Sequence, residues 1–278
     1  MKSTGLKIRF FNVGAGHELV LPNGKTILID PYFTGLDFGG PTREDVKGAD
    51  YILVSHTHYD HDIDLGYFVE KFNSKVFIGA YSATAALRYH KLPYDNVFPM
   101  YPGQNYHLDD FTLDIFQAKH NPTGGLKYSL ENDITLKQLG ISGHKECDEN
   151  GYLDSYDFLI STNNGFRILM ASGQAIWKNV FDIHPNILLR QAGVRKGGDL
   201  LTGEQVSPHI LAELLTKYGA QMIFPFHQDV MYKRWGAEKL SEYFADVSRE
   251  VAGLDPGAVF IYPTPWKWYN LGIYFDEE

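Results

Sequence analysis

The run Ser55-His56-Thr57-His58-Tyr59-Asp60-His61 decides how this chain is read. Its four metal-ligand residues, His56, His58, Asp60 and His61, fall within six positions. Neutral imidazole nitrogen and carboxylate oxygen are the donors that hold zinc, iron or manganese. All of them cannot reach one ion without crowding, so two adjoining ions are the natural arrangement. Pairs of ions roughly 3.5–4 Å apart activate a water and polarise the group it attacks. The ordered pattern arises by chance in only about one such chain per thousand, so the metal reading is preferred to a solvated polar loop. The chemistry implied is hydrolysis.

The flanking sequence places this cluster on a turn between a strand and a helix. Tyr51–Ser55 and Val76–Gly79 read as strands. Asp62 to Phe72 has helical spacing in Ile63, Tyr67 and Val69, with Asp62 and Asp64 placed to meet the positive end of the helix dipole. Leu6, Ile8 and Phe10 alternate as a strand. Leu19-Val20-Leu21 and Thr26–Ile29 flank the hairpin signal Asn23-Gly24, and Phe158–Ile160 and Phe166–Leu169 flank a second, Asn164-Gly165. Phe111–Phe116 alternates and runs into His120. Ser207-Pro208 opens a helix that Gly219 ends, Met222-Ile223-Phe224 delivers His227, and a helix from Ala237 to about Arg249 precedes a strand at Val259–Tyr262. Hairpins and helices in two successive blocks predict an α/β protein built as a four-layer αββα sandwich.

No Pro/Gly/Ser-rich break, low-complexity tract or repeat divides the 278 residues, so residues 1–278 are expected to form one domain. The single cysteine, Cys147, excludes an internal disulfide framework and fits a reducing compartment. Neither a signal peptide nor a stretch of about eighteen apolar residues is present, so a soluble cytoplasmic protein without stable membrane insertion is expected. A net charge of −9 argues against a nucleic-acid partner.

With these motifs in hand, the chain resembles the metallo-β-lactamase-fold hydrolases, whose signature is His-x-His-x-Asp-His after a strand. Gly16-His17 followed by Ile27-Leu28-Ile29-Asp30-Pro31, the isolated His120, the Ser172-Gly173 turn and His227 extend the likeness over nearly the whole chain. The entry segment resembles the branch containing ascorbate-6-phosphate lactonase and the phospholipase-D-like N-acyl-ethanolamine enzymes. The resemblance implies one metal on His56, His58 and His120, and a second on Asp60, His61 and His227. It departs at Gln174, where the family commonly has an aspartate bridging both ions; a neutral amide there weakens at least one site. One or two divalent ions are therefore expected, zinc first, with manganese or iron as alternatives. Asp199 and Asp229 are candidates to replace the missing carboxylate.

In the mechanism this implies, a water with its pKa brought down to about 7 attacks a carbonyl or phosphorus centre. Asp60 orients the nucleophile. Tyr59, Tyr128 and His17 are candidate donors to the developing oxyanion. Asp30 either fixes the tautomer of a ligand histidine or caps the turn before Pro31. Arg190, Arg195 and Lys196 could bind an anionic substrate, although a solvated basic loop is the preferred reading. The tail around Trp266 and Trp268 is expected to cap the core. His90, His107, His184 and His209 are expected to be surface or packing residues, and His144 and Cys147 to sit in a polar hairpin loop rather than a metal clip.

The expected activity is thus metal-dependent hydrolysis of a small ester, lactone or phosphodiester, with a phosphorylated sugar lactone as the substrate the branch resemblance implies. The substrate is expected to be a small, anionic molecule, and a homo-oligomer is compatible with the sequence. The contrasting reading is a catalytically degenerate protein that uses the cleft to bind a ligand or metal. Gln174 is its support, and six conventional ligands stand against it.

Overall fold

The apolar runs at 51–53, 187–189 and 222–226 do not alternate with polar residues because both faces of their sheets are covered. In the computed structural model, which describes residues 5–34, 40–120, 133–173, 178–195 and 204–271, two seven-stranded sheets pack face to face. The first has the order β14-β1-β2-β3-β4-β5-β6. Its strands are β1 (Leu6–Phe10), β2 (His17–Val20), β3 (Thr26–Ile29), β4 (Tyr51–Leu53), β5 (Lys75–Gly79), β6 (Val97–Met100) and β14 (Tyr269–Leu271). The second has the order β13-β12-β11-β10-β9-β8-β7. It comprises β7 (Asn105–His107), β8 (Phe111–Gln117), β9 (Tyr156–Thr162), β10 (Arg167–Ala171), β11 (Ile187–Gln191), β12 (Met222–Phe226) and β13 (Val259–Phe260).

Alternate residues of each central strand serve different layers. Leu53, Phe77, Ile168, Met170, Leu189, Phe224 and Phe226 point between the sheets into one shared core. Ile52, Val76 and Ile78 face outward against the helices α2 (Leu65–Phe72) and α3 (Ala83–His90). Leu169, Leu188 and Ile223 face α5 (Pro208–Thr216) and α6 (Asp229–Leu254) on the other side. The result is the expected αββα sandwich.

Both hairpin signals are turns, with Gly24 at φ 89° and Gly165 at φ 91°, values that favour glycine. Ser207 caps α5 by accepting a hydrogen bond from the Ile210 amide, with Pro208 at the first helical position. The expected helix over Asp62–Phe72 is broken: α1 (Tyr59–Asp62) ends at Asp62 and α2 begins at Leu65. Asp64 stands at the N-cap of α2, near the positive end of its dipole as expected, although its side chain makes no cap hydrogen bond. Asp62 closes α1, while buried Asp64 accepts the amides of Phe33 and Thr34, at 2.7 and 2.8 Å, and pairs with Arg43 at 2.9 Å. The helix expected from Ala237 is the second part of α6, set off by a break at Gly236.

The segment read as a polar hairpin loop is instead a short helix, α4 (Lys145–Gly151), with Cys147 buried on it. Nor are Arg190 and Arg195 in a solvated loop. Arg190 is only 1% exposed, donating to the carbonyls of Ala171 and Gln191, and Arg195 is buried beside its bridge to Gln205. The tail does cap the core: the Trp266 amide donates to the Phe10 carbonyl, and the Arg9 guanidinium lies over both Trp266 and Trp268. Among the described residues no helix is long and apolar enough to cross a membrane.

Leu189 is fully buried between the sheets whereas Ile210 is 46% exposed on α5. Leu189→Ala should therefore cost about 2–5 kcal/mol of unfolding free energy, and Ile210→Ala should stay within about 0.5 kcal/mol. Denaturant midpoints check this; equal effects would contradict the layer assignment.

Candidate metal centre

The signature residues meet because β3, β4, β8 and β12 all end at one rim of the sandwich. The chain leaves β4 through Ser55–His58 and enters α1, which carries Asp60 and His61. His120 follows β8 and His227 follows β12. Two groups of three form, His56 with His58 and His120, and Asp60 with His61 and His227; within each, one ligand atom per residue lies within 4.8 Å of the others. These are the two sets the resemblance implied.

The first group is a near-equilateral triangle, with ring centroids 4.7 Å apart for His56 and His58, 4.8 Å for His56 and His120, and 4.6 Å for His58 and His120. Burial, reinforced by the neighbouring imidazoles, holds all three pKa values down, that of His120 at about 3 and those of His56 and His58 well below the usual histidine value. They are neutral and ready to ligate. His58 Nε2 and His120 Nδ1 are buried and, among the described residues, have no hydrogen-bond partner. A lone pair left in that state is costly unless an ion takes it.

The second group carries negative charge. His61 Nδ1 donates to Asp30 Oδ2 at 2.9 Å, and His227 Nδ1 donates to Asp229 Oδ1 at 2.7 Å, because a carboxylate can only accept. That leaves both Nε2 atoms turned toward each other at 3.2 Å, with the Asp60 oxygens 3.6 Å from His227 Nε2 and 4.0 Å from His61 Nε2. Nitrogen ligands of one tetrahedral zinc stand roughly 3.3 Å apart, given bonds of about 2.0 Å. Burial alone lowers the His227 pKa, but Asp229, Asp60 and Asp30 more than offset it and push it up to about 9. The proton held there supplies the positive charge that a cation would otherwise bring. The two groups abut, with the His56 and His61 rings 3.8 Å apart. Donor chemistry, spacing and charge thus fit divalent ions.

Of the two readings of Asp30, the structure supports the one that fixes the His61 tautomer: its oxygens accept the Ser55 amide at 2.7 Å and the Ser55 hydroxyl at 2.6 Å, besides His61, rather than the turn before Pro31. Asp229 does not replace a bridging carboxylate, since it lies on the Nδ1 side of His227. Gln174, Tyr128, Lys196, Asp199, residues 121–125 and residues 35–39 of the loop after Thr34 lie outside the described residues.

His17 is a poor oxyanion donor. Its Nδ1 lies 2.8 Å from the Ala15 carbonyl and must carry the proton, and burial pushes the ring pKa down to about 4. Its buried Nε2 is therefore a lone pair. Tyr59 remains a donor candidate, because burial and the nearby carboxylates Asp60 and Asp229 raise its pKa. Tyr32, which sequence reasoning missed, is raised by burial and Asp60 in the same way, and its ring meets that of Tyr59 edge-on. Tyr152 was missed as well; its ring lies against those of His58 and His120 at 4.3 and 5.4 Å. Gly151 brings Tyr152 there, since a Cβ at 151 would stand 2.8 Å from His58 Cδ2. His90, expected to be a surface or packing residue, and His144, expected in a polar hairpin loop, both contact Asp62.

Solved structures of similar architecture include a metallo hydrolase from Ignicoccus hospitalis, with a TM-score of 0.66 at 14% identity over 97% of this chain and 99% of that one. An isothiocyanate hydrolase from Delia radicum gut bacteria superposes with a TM-score of 0.60 at 18% identity, covering 95% of this chain and 98% of its own. At these identities the likeness concerns the fold. Among curated proteins, a metal-dependent hydrolase of Bacillus cereus is 34% identical over 128 residues, 45% of this chain and 52% of the relative. One from Koribacter versatilis is 28% identical over 157 residues, 50% of this chain and 64% of the relative. The match thus spans about half to two thirds of these relatives. Residues 19–161, half of the chain and the part that holds the signature, match the metallo-beta-lactamase superfamily, and the chain belongs to that superfamily.

Proposed function

We propose that the protein is a metal-dependent hydrolase of a small ester, lactone or phosphodiester, with a phosphorylated sugar lactone the first substrate to try. The observation that carries this reading is the pair of abutting ligand groups, one of neutral imidazoles and one rich in carboxylate, at the open rim of the sandwich. Divalent ions bound there by these six residues would supply Lewis acidity and acidify a water near neutral pH.

The chain's own residues do the rest. Asp30 and Asp229 hold the His61 and His227 rings by their Nδ1 atoms, so that both present Nε2. Asp60, with a side chain 21% exposed against 12% for His227 and 1% for His61, accepts a hydrogen bond from the attacking water and orients it. The Tyr59 hydroxyl, kept protonated by its surroundings, donates to the oxygen that gains charge. A small substrate suits the acidic chain better than a polyanion, in keeping with its net charge of −9.

His58→Ala removes a ligand with an unpartnered nitrogen. Turnover on a panel of lactones, esters and phosphodiesters should fall by more than the roughly 100-fold that loss of an outer hydrogen bond costs, and chelation of the wild-type protein should do the same until zinc is restored. Full activity in chelated protein would contradict the proposal. Asp30→Asn keeps the shape but loses the charge that grips Ser55 and His61, and metal affinity measured by competition with a chromogenic chelator should drop roughly 10–100-fold. Unchanged affinity would remove Asp30 from the account.

A further inference from the structure

A second cluster of ligand-type side chains lies directly behind the signature, away from the rim. Asp62, the residue after His61, is fully buried, and so are His144 and Cys147. One donor atom from each of these three lies within 4.8 Å of the others. His144 Nε2 is 2.6 Å from Asp62 Oδ1, and His90 Nε2 is 3.2 Å from Asp62 Oδ2, its side chain 3% exposed. His144 Nδ1 is buried and, among the described residues, has no partner.

We propose that Asp62, His144 and Cys147 form a separate structural site for a divalent transition-metal ion of the zinc class, with His90 held against the other oxygen of Asp62. The donor set suits such an ion: a soft thiolate, a borderline imidazole nitrogen and a carboxylate oxygen are all zinc ligands, and all three residues are buried. Charge points the same way. A dication with one carboxylate, one thiolate and neutral imidazole sums to zero, as burial favours. Donor atoms around a tetrahedral zinc stand roughly 3.3–3.8 Å apart for bonds of about 2.0–2.3 Å. The 2.6 Å contact between His144 and Asp62 must open by about 0.7 Å to reach that spacing, within the reach of side-chain torsions.

The location gives the ion a purpose. Asp62 ends α1, His90 ends α3, His144 precedes α4 and Cys147 is on α4. Through α4 the cluster already grips the catalytic loop, for Thr57 Oγ1 donates to the Cys147 carbonyl at 2.7 Å and the Tyr59 amide to Asp148 at 3.3 Å. An ion would tie α1 to α4 beneath His56–His61, leaving the rim to its own ions.

Cys147 is the only cysteine in the sequence, so a sulfur signature can come from no other side-chain thiol. The protein is produced in medium where cobalt(II) replaces zinc, which loads the buried site during folding. The expected result is a thiolate-to-cobalt charge-transfer absorption in the near ultraviolet. It should persist in His58→Ala, whose change lies in the rim centre, and vanish in Cys147→Ala together with one equivalent of bound cobalt per chain. Absence of the band in cobalt-replete wild-type protein would overturn the site, and so would equal cobalt content in wild type and Cys147→Ala. Neither result touches the hydrolase reading, which depends on the six rim ligands and contains no thiolate.

Discussion

The centre hangs on the carboxylate of Asp30. Fully buried at the end of β3, it accepts the Ser55 amide and hydroxyl and the His61 Nδ1 proton. Because the Ser55 hydroxyl gives its proton to Asp30, its oxygen is left to accept from His56 Nδ1, 3.0 Å away. One acid thereby sets the tautomer of a ligand in each metal group, directly for His61 and through Ser55 for His56. Both rings then present Nε2 to the ions. Breaking that grip would leave a buried amide, a hydroxyl and two imidazoles to find other partners at once, a loss of roughly 1–3 kcal/mol for each group left unpaired.

The grip requires unusual backbone. Asp30 has φ 46° and His227 has φ 57°, left-handed conformations that side chains other than glycine adopt at a cost of about 1–3 kcal/mol each. Neighbouring hydrogen bonds hold both in place: the Asp30 amide donates to the Leu53 carbonyl, and the His227 amide to that of Gly14. The two sheets, locked by a shared apolar core, bring these strand ends together from opposite halves of the chain.

Much of this was legible in the sequence, for identifiable reasons. The strand alternation of Phe111–Phe116, the Asn-Gly turns and the Ser-Pro cap are local signals, and the ligands His56, His58, Asp60 and His61 announce themselves by adjacency. The partners of Asp62 do not. His90 and His144 lie 28 and 82 residues from it in sequence, and only the packing of α3 and α4 against α1 brings them near. Tyr32 and Tyr152 are hidden for the same reason. Arg190 misled in the other direction: in sequence it precedes a basic, glycine-bearing loop, whereas in the fold it ends β11 and turns inward to carbonyls. The helix read over Asp62–Phe72 forms from Leu65 onward; its first turn gives way at Asp64, whose carboxylate bonds the amides of residues 33 and 34.

We propose that the rim holds two ions side by side despite the neutral Gln174 in the sequence. Anomalous diffraction at the metal absorption edge, on crystals of protein purified without chelator, tests this. Two peaks are expected roughly 3.5–4 Å apart, one among His56, His58 and His120 and the other among Asp60, His61 and His227. No anomalous density at the rim of zinc-replete crystals, or a single ion shared by both groups, would contradict it.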